Sequence, residues 1–585
     1  MIPAAPTESR QVTIVYLSVL AVIIGVVTGL GAIVLRVLIS IVHNLAFLGT
    51  FSLSYDANVP TPAAPFGAWV ILSPVIGGLI VLFIVRRWAP EAKGHGVPEV
   101  MDAIYYKGGK IRPAVVVIKS LASAISIGSG ASVGREGPII QIGSGIGSVL
   151  GQMFNLRSWQ VITLVAAGAG AGIAATFNTP LGAVMFAIEL MLPEFSARTL
   201  LPVVLATGTA TYVGRFAFGL EPAFLVGAYE RPDLFVPLSA DMLPLYLAFG
   251  ALAGVAATVF VKGLYRMEDA FDDWKINPYL KNIAAMGFLG VLMYVLFQTT
   301  GMYHTASVGY DTIQAILTGQ ISGAWFLLML FFLKMLATSV SLSGGASGGV
   351  FSPSLFLGAT LGGAFGAMLD FFFPYLGFSP IVFGLIGMAT IVGGSTGATM
   401  TSIMMIFEMT GDYSITVAAI IAVVCAVGVR TYLSPNDIYT TKLVRRGHHI
   451  PRDRRSHMFP IRLARDVMEP VVATLDRAQV ECPTEVARQP SGQRAHALVT
   501  EGNRIVGIVE VDPAHPTQAI GVMIEGPFAL SLPTGFVQQM MERMANHGQH
   551  AVLVLSDKKK PRPENVLGVV TRTALADSVI ADFRR

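Results

Sequence analysis

From residue 12 to about residue 433 the chain alternates long apolar stretches with short glycine- or proline-rich breaks, and after about residue 446 it turns into ordinary mixed polar sequence. Windows such as "VTIVYLSVLAVIIGVVTGLGAIVL" (12–35) and "FGAWVILSPVIGGLIVLFIV" (66–85) reach the roughly 20 apolar residues that a helix needs to cross a bilayer. Their recurrence excludes a few buried helices in a soluble core and predicts a multi-pass α-helical membrane domain over 1–445. A basic linker over 446–460 and a soluble domain over 461–585 follow it. In the soluble part "AHALVTEGNRIVGIVEV" (495–511) and "HAVLVLSDKKKPRPENVLGVVTRTAL" (550–575) each read as strand, polar turn and strand. "TGFVQQMMERMANHG" (534–548) has helical periodicity, so the tail is expected to hold two α+β units in tandem. Residues 1–11 lack the basic start and cleavage site of a removable signal, so the first apolar stretch is expected to remain as a helix.

The apolar part repeats itself. "GREGPIIQIGSGIG" (134–147) is echoed by "GVFSPSLFLGATLGGAFG" (349–366), and the run ending in Glu189 by the run ending in Glu408. Pro138 and Pro353 stand 215 positions apart, and Glu189 and Glu408 stand 219 apart. Two features in one order at nearly one offset predict an internal duplication, with halves at about 12–220 and 241–435. This is the organisation of transporters whose substrate binds where the repeats meet.

Composition agrees: 53% of the 585 residues are hydrophobic, 13% are charged, and the net charge of +4 is too small to point to nucleic acid. Lys and Arg gather beside apolar segments, most densely in "KLVRRGHHIPRDRRSH" (442–457), which predicts a cytoplasmic tail. Cys425 and Cys482 fall in different media, so neither a disulfide nor a metal cluster is expected. The ten histidines form no HExxH, no GxSxG precedes a helix and no Walker ending follows the glycine turns, so the chain does not read as an enzyme.

Chemistry concentrates in "GSGASVGREGP" (128–138), where Arg135 and Glu136 stand together between apolar helices. A glycine-rich turn opening onto a helix leaves backbone N–H groups unpaired at the positive end of the dipole, which suits an anion. Pro138 and Pro353 fit the first helical turn. The later glycines of "GATLGGAFG" are expected only to let helices pack closely.

These residues resemble the CLC family of chloride channels and proton-coupled chloride antiporters, over essentially the whole chain. "GREGP" (134–138) is similar to that family's gating motif, "GGVFSP" (348–353) to its GxFxP motif and "GHGVPE" (94–99) to its GSGIP motif with one change. "FNTPLGAVMFAIE" (177–189), "IFEMTGDY" (406–413) and "NDIYTTKL" (436–443) resemble further family segments in the family's order. The resemblance implies an inverted internal repeat followed by a CBS pair, in a homodimer in the plasma or inner membrane with one anion path per subunit. Glu136 would be the gating carboxylate that competes with the anion. The anion would be held around His95, Gly96, Val97, Gly134, Arg135, Gly137, the N–H groups of Val350 and Phe351, and the Tyr439 hydroxyl. Arg135 would be structural rather than a direct ligand, because a full charge in a pore traps the ion, and with Lys119 it would supply diffuse positive potential.

Two departures bear on function. His95 stands where the family has serine, which leaves open an imidazole ligand, a pH sensor, or a ring turned aside from an anion held by Gly96 and Val97. Leu190 stands where antiporters carry an inner glutamate, so the proton pathway has Glu136 and no obvious partner. The expectation from these residues is a voltage- or pH-gated chloride channel, with a proton-coupled antiporter as the alternative and a fluoride exporter behind it. Glu189 and Glu408 are expected to make helix-end contacts. In the tail, Ala574 and Glu510 replace the Asp and Thr of the adenine-nucleotide pattern, so no cofactor is expected, nucleotide binding is doubtful, and the CBS pair reads as a platform.

Overall fold

The computed structural model describes residues 12–226, 242–411, 415–450, 462–479, 494–512, 515–519, 523–546, 549–557 and 561–583. Most of the basic linker, from 451, and Cys482 lie outside the described residues. The chain forms two compact units, Met1–Leu192 with Ser196–Ile450, and Pro193–Phe195 with Pro451–Arg585.

The first unit is helical. Its first half runs α1 (Ile14–His43), α2 (Leu72–Trp88), α3 (Val97–Tyr106), α4 (Pro113–Gly128), α5 (Glu136–Met153), α6 (Ser158–Phe177), α7 (Pro180–Phe186) and α8 (Ala197–Phe218). The second half runs α9 (Leu243–Asp273), α10 (Pro278–Thr300), α11 (Tyr310–Leu317), α12 (Ala324–Ser343), α13 (Phe351–Phe372), α14 (Pro380–Thr396), α15 (Thr399–Thr410) and α16 (Thr416–Leu433), and α17 (Ile438–Arg445) closes the unit. Among the described residues nine helices are long and apolar enough to cross a membrane. Helix boundaries follow local chemistry: Pro113, Pro180, Pro278 and Pro380 occupy first positions, where a missing N–H costs nothing. Left-handed Asn178, Gly301, Gly397 and Gly411 end α6, α10, α14 and α15.

The two halves are one structure used twice, inverted, and residues at matching offsets exchange the same bonds. Gly134 N–H donates to Gly349 O at 2.7 Å and Gly349 N–H to Gly134 O at 2.6 Å. Ser132 N–H donates to Ser341 Oγ at 3.1 Å, and Ser347 N–H to Ser126 Oγ at 3.0 Å. Lys119, fully buried on α4, donates to Ala92 O and Gly94 O; Lys334, fully buried on α12, donates to Thr305 O and Ser307 O. The helix-end contacts expected of the repeated glutamates are present. Glu189 accepts from the N–H groups of Met400 and Thr401, and Glu408 from those of Leu181 and Gly182, at 2.7–3.0 Å. Each carboxylate thus caps a helix start in the other half. Close packing follows the same rule: a Cβ on Gly358 or Gly362 would fall onto the α14 backbone, as one on Gly143 or Gly147 would fall onto α6.

The second unit contains β1 (Glu469–Asp476), β2 (Ala495–Glu501), β3 (Arg504–Asp512), β4 (His515–Ala519), β5 (Ile524–Glu525), β6 (Ala529–Ser531), β7 (Ala551–Leu555) and β8 (Val566–Thr571). The sheet order is β4-β3-β2-β1-β8-β7-β6, with β5 on β3. β1 runs parallel to β2 and β2 antiparallel to β3, and β6, β7 and β8 repeat that pattern, so the tail is two α+β units.

Candidate functional site

Four loops, each leading into a helix start, meet around Glu136. They precede α3, α5, α11 and α13, and their mutual bonds are those of the repeat just described. Ser347 Oγ adds a bond to Ala92 O at 2.8 Å, which ties the α13 loop to the α3 loop.

Glu136 is the first residue of α5 and is 1% exposed. Its carboxylate turns across to the start of α13. One oxygen, Oε1, accepts from the Tyr310 hydroxyl at 2.5 Å and from the Ser352 hydroxyl; the other, Oε2, accepts from Ser352 N–H at 3.3 Å. The two hydroxyls also lie 2.9 Å apart. A carboxylate therefore occupies an anion seat made of one backbone N–H, two hydroxyls and the positive end of a helix. Gly134 makes the fold-back possible, since a Cβ there would strike Oε2.

The residues expected to form the site fall around this clamp. Gly96, at φ +85°, presses on Gly137, and a Cβ on Gly137 would overlap His95 O. Gly349, next to Val350, packs on Gly137, and Phe351 opens α13 with its ring 6.2 Å from that of Phe177. The Arg135 guanidinium lies over the rings of Tyr310 (5.3 Å) and Phe177 (5.8 Å) rather than reaching into the clamp. The backbone donor on Glu136 is Ser352, next in the chain after Val350 and Phe351, whose N–H groups were expected to serve an anion rather than this carboxylate.

Tyr439, 1% exposed, lies on α17, whose start is fixed by Asp437 accepting from the N–H groups of Tyr439 and Thr440, both at 2.8 Å. Lys442 lies beside Gly94, and Arg446 bonds Glu99 of α3 at 2.6 Å, which ties α17 to the His95 loop. The hydrogen bond and charge of Glu99 hold the Arg446 guanidinium above its usual pKa. His95 is 2% exposed, its ring edge-on to Tyr265 at 6.3 Å, and its Nδ1 has no hydrogen-bond partner. Val97 is buried as the first residue of α3. Leu190 is buried in a widened helical turn, Ala187–Met191, and offers no titratable group.

Sequence reasoning missed Tyr310 and Ser352. The signal for Tyr310 was present: Gly309, at φ +75°, stands 213 positions after Gly96, as Ser307 does after Gly94, so Tyr310 is the repeat counterpart of Val97. Among the described residues no cluster of three His, Cys, Asp or Glu could hold a metal ion. In the tail, a cavity of about 300 Å³ is lined by Ile524, Glu525, His550, Thr571 and Arg572 among others.

Comparison with known proteins places this geometry in context. The model of the voltage gated chloride channel family matches residues 77–431. The H(+)/Cl(-) exchange transporter ClcA of Salmonella arizonae is 30% identical over 445 residues, which cover 74% of this chain and 90% of that protein. The solved structure of a slow cyanobacterial Cl−/H+ antiporter has a TM-score of 0.63 at 27% identity, covering 75% of this chain and 99% of its own. A eukaryotic CLC transporter structure matches at TM-score 0.60 and 20% identity over 96% of this chain and 98% of its own, a likeness of fold that extends through the tail.

Proposed function

The chain belongs to the voltage gated chloride channel family, and on that premise we propose that it exchanges chloride for protons across a membrane, with Glu136 as the group for which both compete. The observation that carries the proposal is the seat of the Glu136 carboxylate. Ionised, it takes the donors of Ser352 and Tyr310 and holds the place of an anion. Protonated, it loses its attraction for the helix end and presents a hydroxyl where two hydroxyls already donate, so it leaves and a chloride takes its seat. One carboxylate that admits either a proton or an anion couples the two movements.

The passive channel expected from Leu190 is the weaker reading, because the relatives at 27–30% identity are named as exchangers. On the antiport reading the proton reaches Glu136 without a carboxylate at 190. His95, with an unpartnered buried Nδ1, is proposed as an anion-facing imidazole, and the backbones of Gly96, Val97, Val350 and Phe351 with the Tyr439 hydroxyl as the remaining anion contacts. We further propose a homodimer in the cell membrane with the tail cytoplasmic, as the positive charges of Lys442, Arg445 and Arg446 favour. The tail, proposed as a CBS pair, serves as a platform, and Glu510 and Ala574 disfavour a nucleotide there.

The test is purified protein in liposomes with chloride and pH recorded together. A chloride gradient is expected to drive protons uphill, and Glu136→Gln to leave chloride flux without proton movement. Chloride flux with no proton movement in the unsubstituted protein would establish the channel instead. Fluoride efflux from the same vesicles is expected to be no faster than chloride efflux.

A further inference from the structure

Past its last turn, α17 runs into a segment that grips α3. Glu99, Asp102 and Tyr106 stand three and seven positions along α3 from the first of them, so they share one face of that helix. All three are taken up by residues 446–449. The Arg446 guanidinium bonds Glu99 at 2.6 Å, His448 Nδ1 donates to Asp102 Oδ1 at 2.5 Å, and the Tyr106 hydroxyl donates to His449 O at 2.7 Å. The His448 ring also stacks on the Tyr106 ring, with centroids 4.1 Å apart. The Asp102 side chain is 4% exposed, against 30% for His448, and its second oxygen takes the Lys107 ammonium at 2.7 Å. From α9, Glu268 and Asp269 face the same segment but are engaged with Lys442 and Arg445.

The helices that this clasp joins carry the expected anion contacts at their opposite ends. α3 starts at Val97, just after His95 and Gly96, and α17 starts at Ile438 with Tyr439 next to it. With ten and eight residues they are rods of about 15 and 12 Å, short enough for a shift at one end to move the other. His448 is the variable member of the clasp. An arginine keeps its charge across the physiological range, whereas a histidine changes its charge near neutral pH. With a second proton the ring forms an ion pair with a buried carboxylate; without it the ring is only a neutral donor. Acid therefore tightens the clasp and alkali loosens it.

We propose that His448 is a positioning residue that makes anion affinity depend on pH: protonated, it pairs with Asp102 and holds the starts of α3 and α17 where both serve the anion, and neutral, it lets them part. The proposal rests on the exchange reading above. Contacts already in place bind an ion more tightly than contacts that must be ordered as it arrives. Chloride is thus held more tightly in acid, through a group other than Glu136.

The test uses the full chain carrying Glu136→Gln, so that the gating carboxylate no longer titrates, and reads chloride binding by calorimetry in detergent. With His448 present, chloride is expected to bind about threefold more tightly at about pH 6 than at about pH 8, the scale of a partly exposed charge pair. His448→Gln keeps a donor and gains no charge, and is expected to bind weakly at both pH values. His448→Arg is charged throughout and is expected to bind tightly at both. An affinity that does not change with pH when His448 is present overturns the proposal, as does a change that survives in both variants. Equal weakening by both variants at both pH values also overturns it, because that is the mark of a merely structural contact. Should one variant fail to fold, the other decides against the protein with His448. Chloride binding without the pH dependence rejects the clasp and keeps the exchange reading; no chloride binding at either pH rejects the exchange reading itself.

Discussion

The hydroxyls of Tyr310 and Ser352 converge on one oxygen of Glu136, and in the exchange cycle we propose their hold sets how readily that carboxylate yields its seat. A hydrogen bond to a charged group contributes about 1.5–3 kcal/mol, and about 1.4 kcal/mol is tenfold in an equilibrium. Tyr310→Phe is therefore expected to speed chloride turnover in liposomes several-fold, and an unchanged rate would show that another step limits the cycle. Gly134→Ala is expected to push the carboxylate out of the clamp, because its Cβ would occupy the space of Oε2; the measured outcome is chloride flux with a flattened pH dependence. At this scale the sequence was informative about Glu136 and its glycines, whose roles follow from local backbone chemistry. It was silent about Ser352, whose hydroxyl matters only because Glu136 arrives from 216 positions away.

Helices were the most legible elements, since an apolar window, a proline at the start and a left-handed glycine or asparagine at the end are local properties. Their mutual fixing was partly legible, because Glu189 and Glu408 were noticed as repeated but not what they cap. Each holds two N–H groups at a helix start in the other half. Glu408→Ala and Glu189→Ala are expected to lower stability by similar amounts, about 1–3 kcal/mol each, measured as thermal unfolding in detergent. The glycine helices behave as packing surfaces: Gly358→Leu is expected to prevent assembly of α13 against α14, read as loss of a folded, monodisperse protein. In the tail, the strand-turn-strand patterns were plain, and β2 and β3 follow them around Gly502 at φ +61°. The order of strands across the sheet was not in the pattern, because it depends on pairings between distant segments.

Across the whole first unit, the twofold relation makes pairs of distant residues equivalent. Lys119 and Lys334 stand 215 positions apart, and each satisfies two buried carbonyls of the loop before α3 or α11. Lys119→Met and Lys334→Met are each expected to lower stability in thermal unfolding by about 1–3 kcal/mol per carbonyl left without a donor, with Lys334→Met the more costly, because Ala92 O keeps its bond from the Ser347 hydroxyl. Equal losses would show that the Ser347 bond does not compensate for the missing ammonium.

The sequence by itself determined that this chain spans a membrane, that its membrane part is a duplication, and that a carboxylate stands at a glycine-rich helix start. Those conclusions depend on composition, period and backbone freedom, which act over a few neighbouring residues. Only the tertiary structure decided which groups hold that carboxylate. Tyr310 reaches Glu136 across 174 positions and His448 reaches Asp102 across 346, and such meetings are fixed by how the two halves interlock. The stretch "GSGASVGREGP" reads as a place suited to negative charge, and the fold supplied the hydroxyls, the N–H and the helix end that hold the Glu136 carboxylate.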